Sequence, residues 1–61
     1  MASSIEVKER QKHHLASLLS IKRDNPSIEI VGLNREIEKA VTVMEQEDVA
    51  WVEKIIGVTA L

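Results

Sequence analysis

The sequence predicts an all-α fold: one small helical domain over residues 1 to 61, an antiparallel hairpin of two helices that dimerises into a four-helix bundle. Three observations predict it. Ile30, Leu33, Ile37, Ala40, Val41, Met44, Trp51, Ile55 and Val58 fall on one face at helical period, interrupted by Asn34 and Asp48. Asp24-Asn25-Pro26-Ser27 is the one clear punctuation mark before the chain's last residues. The apolar stripe also outruns anything the first half of the chain can cover.

The first helix is expected over residues 4 to 23, which contain neither Gly nor Pro. Ser3 or Ser4 can cap its start, Glu6 and Glu9 suit the positive end of the dipole, and Lys22 and Arg23 suit the negative end. Val7, His14, Leu18 and Ile21 form one strip. Lys8, Lys12, Leu15, Leu19 and Lys22 form its neighbour, so the buried part concentrates in residues 15 to 21. Residues 1 to 4 read as a short frayed start.

Pro26 disfavours helical geometry in Asn25 and is itself suited to the first position of a following helix. That helix is expected over residues 27 to 57, with Gly57 as its stop. Two places oppose its continuity. Gly32 costs about 1 kcal/mol in a helix interior, and Ile28-Glu29-Ile30-Val31 also suits a short extended segment. A break near residues 45 to 48 is the other, where Asp48 is an acceptable N-cap for a separate helix through Ile56. Val31, Val49 and Ile56 make a second apolar strip.

Antiparallel pairing about residue 25 sets Ile21 beside Ile30, Leu18 beside Leu33, His14 near Ile37 and Val7 near Met44. The second helix then extends roughly 10 to 15 Å past the first, at about 1.5 Å per residue. A two-fold dimer covers that end, with Met44, Asp48, Trp51, Ile55 and Val58 as the expected dimer or partner interface. Folding back near Asp48 is the monomeric alternative. Asp48 itself is read as a cap, a rim residue or a register-setting contact with Lys8 or Lys12 of a neighbour. Trp51 is read as a core or dimer anchor.

Composition agrees with a small assembly. A chain of 61 residues with no cysteine has no disulfide to support a small core, and its apolar residues are almost wholly aliphatic. Residues 1 to 24 hold five bases against three acids, a net +2, whereas residues 25 to 61 carry a net −4. That asymmetry reads as attraction between packed helices before it reads as a ligand surface. No apolar run is of membrane-spanning length and no secretory signal is visible, so a cytoplasmic protein without a membrane partner is expected.

Catalytic, cofactor and metal sites are not expected. His13 and His14 are adjacent and diverge by about 100° on a helix, which prevents shared chelation. Glu9 is placed to pair with His13, and His14 sits on the apolar edge. Ser17 and Ser20 have no nucleophile elbow around them, the several glutamates lack the Glu-x-x-His spacing of bundle carboxylate sites, and the isolated Gly32 and Gly57 make no phosphate loop. The expectation is a non-enzymatic helical module for protein–protein interaction or regulation, acting as a homodimer. The alternative is a small nucleic-acid-binding dimer using Lys8, Lys12, Lys22 and Arg23, although that basic side is interrupted by Leu15 and Leu19 and lacks interleaved aromatics.

Overall fold

The computed structural model describes residues 3 to 60; of the start expected to fray, residues 1 and 2 lie outside them, whereas Ser3 and Ser4 are the cap and first residue of a helix. Among the described residues there are three helices and no strand: α1 (Ser4–Asp24), α2 (Leu33–Thr42) and α3 (Gln46–Ile56). Ser3 caps α1, its Oγ accepting the Glu6 N–H at 3.2 Å. At the other end Asn25 closes the helix twice, donating its backbone N–H (3.1 Å) and its Nδ2 (2.9 Å) to the Ile21 carbonyl. These bonds satisfy groups that a helix terminus would otherwise leave unpaired.

The expected second helix is divided, and its first turns do not form. Residues 25 to 32 are non-helical. The Leu33 N–H donates to the Ile30 carbonyl at 3.1 Å, with Gly32 in the left-handed region at φ +83°. A turn with positive φ at its third residue is a glycine turn, so Gly32 is a turn residue here and not a helix-interior defect. Pro26 and the β-branched run at residues 28 to 31 remove the remaining preference for helix.

The second break lies at residues 43 to 45, slightly before the expected 45 to 48. Val41, Thr42 and Val43 are all β-branched, and Thr42 Oγ1 donates to the Glu38 carbonyl at 2.7 Å, which competes with continued helix hydrogen bonding. Glu45 then adopts an extended conformation as the N-cap of α3, without a side-chain cap bond. Asp48 is therefore not the cap. It sits in the first turn, its N–H and that of Val49 both donating to the Glu45 carbonyl at 3.0 and 3.1 Å.

This break changes which residues face inward. The long stripe continues through Leu33, Ile37, Ala40, Val41 and Met44, but beyond residue 45 the core takes Val49, Val52 and Ile56. Trp51 and Ile55 turn outward, 54% and 58% exposed. The core is Leu15 and Leu19 from α1, Ile37 and Ala40 from α2, Val49 and Val52 from α3, and Ala60 beyond it. Gly57 ends α3 at φ +82°, and its N–H reaches the Glu53 carbonyl at 2.8 Å. The tail then folds under, Ala60 donating its N–H to Glu53 Oε2 at 2.6 Å.

α1 packs against both other helices. Because Lys8 meets Glu45 and Lys22 meets Thr59, α3 runs parallel to α1, and α2 makes the return between them. The second half thus does not outrun the first. It is the start of α1 that is least covered: every residue from 3 to 10 is exposed, Val7 among them, and Lys8 reaches the α3 N-cap Glu45. No helix among the described residues is long and apolar enough to cross a membrane.

Candidate interaction surface

Three lysines on one side of α1 hold α3 in place. Lys8 Nζ donates to Glu45 Oε1 at 3.1 Å, Lys12 Nζ lies 3.9 Å from Asp48 Oδ1, and Lys22 Nζ donates to the Thr59 carbonyl at 3.2 Å. The positive end of the α3 dipole thus carries Glu47 and Asp48 opposite α1 cations, and the segment just past its C-terminus receives an ammonium. The charge asymmetry of the sequence is used between helices. The hydrogen bond to Glu45 raises the Lys8 ammonium above its ordinary pKa, and the same bond, joined by one involving Glu47, lowers the Glu45 carboxyl.

These contacts occupy the basic residues considered for nucleic acid. Lys8, Lys12 and Lys22 face α3 or its tail, and Arg23 Nε pairs with Asp24 at 3.3 Å. Lys12 also meets Glu9 at 3.4 Å, so Glu9 is paired with Lys12 where His13 was the expected partner. His14 is exposed, not buried in a core.

Beside this ladder, Lys12 Nζ stands 5.1 Å from the Trp51 ring centroid. A shallow cleft of about 190 Å³ opens there, lined by Glu9, Lys12, His13, Ala16, Trp51 and Ile55. Trp51 and Ile55 are one helical turn apart and face the same way, so they form a continuous apolar edge along α3 next to α1. Of the expected interface residues, Trp51 and Ile55 share this edge and Asp48 joins it through Lys12. Met44 and Val58 do not: Met44 lines a hollow on the α2/α3 side with Val41 and Val49, and Val58 lines a cleft of about 390 Å³ with Lys22, Ile30 and Leu33.

Two contributors were not singled out by sequence. Ala16 floors the cleft, and Ile5, 74% exposed, lies seven residues before Lys12 on the same strip of α1. The spacing of residues 5, 12 and 16 carries that information, but only once α3 is known to lie along that strip. Among the described residues no cluster of three His, Asp or Glu side chains is placed to hold a metal ion. Comparison with protein-family models, with curated proteins and with solved structures returns no match.

Proposed function

We propose that this chain is a non-enzymatic helical interaction module of the cytoplasm, working as a homodimer whose two copies meet on the α1/α3 edge. The observation that carries this reading is the outward Trp51–Ile55 edge beside a cleft. Tryptophan is among the residue types enriched in interface anchors, and Ile55 one turn on extends the exposed apolar surface around Trp51.

The surface area supports it. The chain exposes 4652 Å², whereas a folded monomer of 6.9 kDa is expected to expose about 4,000 Å². Two copies joined along these edges would bring four helices, α1 and α3 of each, to the junction, an arrangement different from the bundle of two two-helix hairpins expected from the sequence. Nucleic-acid binding has less in its favour, because Lys8, Lys12, Lys22 and Arg23 already have partners within the chain.

Sedimentation equilibrium tests the reading. The wild-type chain is expected at twice its 6.9 kDa mass, and Trp51→Ser at the monomer mass with its helical circular dichroism retained. A wild-type monomer at millimolar concentration overturns it.

A further inference from the structure

We infer that residues 57 to 60 are a strap that opens and closes as a unit over the space between α2 and α3, hinged at Gly57 and held shut by Lys22 and Glu53. Local chemistry dictates its form. Gly57 stops α3 at φ +82°, and the chain then turns back along that helix, since the Ala60 N–H reaches Glu53. Ala60 is buried and Val58 partly covered while Thr59 between them is exposed, the alternation of an extended segment.

What the strap covers follows from the helix packing. α2 and α3 each pack on α1 and scarcely on one another, which leaves a space between them. Val58 lines the cleft of about 390 Å³ with Ile30 and Leu33, at the start of α2. Ala60, 2% exposed, lines the hollow of about 310 Å³ with Val41, Met44 and Val49, at the other end of the same helix. One short segment thus walls both recesses. Lifting it joins them into a single apolar groove along α2.

The strap's attachment can be released without unfolding the helices. Among the described residues, Val58, Thr59 and Ala60 make no backbone-to-backbone hydrogen bond. Two charged side chains grip their main chain instead: Lys22 Nζ of α1 donates to the Thr59 carbonyl at 3.2 Å, and Glu53 Oε2 of α3 accepts the Ala60 N–H at 2.6 Å. Both bonds are charge-assisted, and the second is partly shielded from water, which strengthens it. The apolar anchor is small, because Ala60 buries one methyl group where Leu15, Leu19, Ile37 and Val52 bury whole side chains. Opening therefore breaks two hydrogen bonds and uncovers little apolar surface, the condition for a local opening that precedes global unfolding. When shut, the strap ties α1 to α3 at the end opposite the Lys8–Glu45 pair.

Thiol labelling of the full chain tests this, because the chain has no cysteine of its own. Ala60→Cys is expected to react with an aromatic disulfide reagent at least on the order of tenfold faster than Val52→Cys, and its rate to be nearly flat in dilute urea while that of Val52→Cys climbs with global unfolding. Added to Ala60→Cys, Glu53→Gln is expected to speed labelling several-fold and Glu53→Ala on the order of tenfold, in that order because Gln keeps a neutral acceptor. Lys22→Met is expected to act in the same direction, and none of the three to change Val52→Cys labelling. Equal rates and equal urea dependence at residues 60 and 52 overturn the strap, since the segment then opens only with the whole fold. An unchanged rate in Glu53→Ala overturns the grip assigned to that carboxylate. Amide exchange checks the cysteine variants: the Ala60 N–H is expected to be protected in the unaltered chain and to lose protection in Glu53→Ala with the Leu19 amide unaffected, and an unprotected Ala60 N–H in the unaltered chain overturns the closed state.

Discussion

Lys12 stands 5.1 Å over the Trp51 ring with its ammonium 3.9 Å from Asp48 and 3.4 Å from Glu9. One side chain of α1 thereby fixes two residues of α3 a turn apart, one by charge and one by its π face. Its own side chain is 23% exposed and that of Asp48 is 18% exposed, so screening of the pair is incomplete. The contact binds an acid in the first turn of α3 and orients the only aromatic residue of the chain.

Asp48→Asn is expected to cost about 0.5 to 1 kcal/mol, since amide substitution removes both the charge facing Lys12 and the favourable charge at a helix start. Lys12→Gln is expected to cost a similar amount. The double variant should fall short of additivity by a few tenths of a kcal/mol, measured by urea denaturation. A harmless Asp48→Asn exchange would assign Asp48 a role as hydrogen-bond acceptor alone, as an N-cap would have.

The Lys8–Glu45 contact has a defined pH window. Glu45 titrates below its ordinary range when folded, so its contribution is present above that range and is lost as pH falls through the lowered value. Lys8 titrates above its ordinary range, so its contribution is present below that range and is lost as pH rises through the raised value. Together they hold at neutral pH and fade below about pH 4 and above about pH 10.5. The difference in denaturation midpoint between wild type and Lys8→Gln should be constant from pH 6 to 9 and vanish in acid, on the order-of-magnitude pKa scale of free side chains.

Gly32 and Gly57 are required by backbone conformation alone. Both have positive φ, and a Cβ built at either meets nothing within 4 Å. Gly32→Ala and Gly57→Ala are therefore each expected to destabilise by roughly 1 kcal/mol. A D-alanine placed at residue 32 by chemical synthesis should be harmless, because it favours the same φ without strain. A D-alanine as costly as the L form would show that space, not φ, restricts the position.

Much of the helix pattern was legible in the sequence. The Ser3 cap, the α1 span, the turn at Asn25-Pro26 and the Gly57 stop all rest on local chemistry, and each is where that chemistry puts it. The break at residues 43 to 45 was harder to place because no Gly or Pro marks it; three consecutive β-branched residues do, and their preference is weak. Missing that position had a large consequence. A helix of unbroken phase puts Trp51 and Ile55 on the face of Ile37, whereas a re-started helix puts Val49, Val52 and Ile56 there. Periodicity identifies apolar faces, but which of two faces turns inward depends on a junction that periodicity does not locate. For the same reason Lys8 or Lys12 could be named as a partner of Asp48, while the choice of Lys12 and its being in the same chain could not.

The exposed start of α1 gives the last prediction. Residues 3 to 10 are all exposed and Lys8 ties them to the rest of the fold through the exposed Glu45, so their amide hydrogens should be protected mainly by a helix end that frays readily. If a second copy covers them, protection must depend on protein concentration, because mass action links the helix end to the dimer. Hydrogen exchange is expected to slow for residues 7 to 10 as the chain is concentrated from micromolar to millimolar, while residues around Leu15 and Leu19 change less. Trp51→Ser should abolish that dependence without altering the exchange of residue 7 at the dilute limit. Protection equal at all concentrations would mean that the first turns of α1 are held by their Ser3 cap and helical propensity alone.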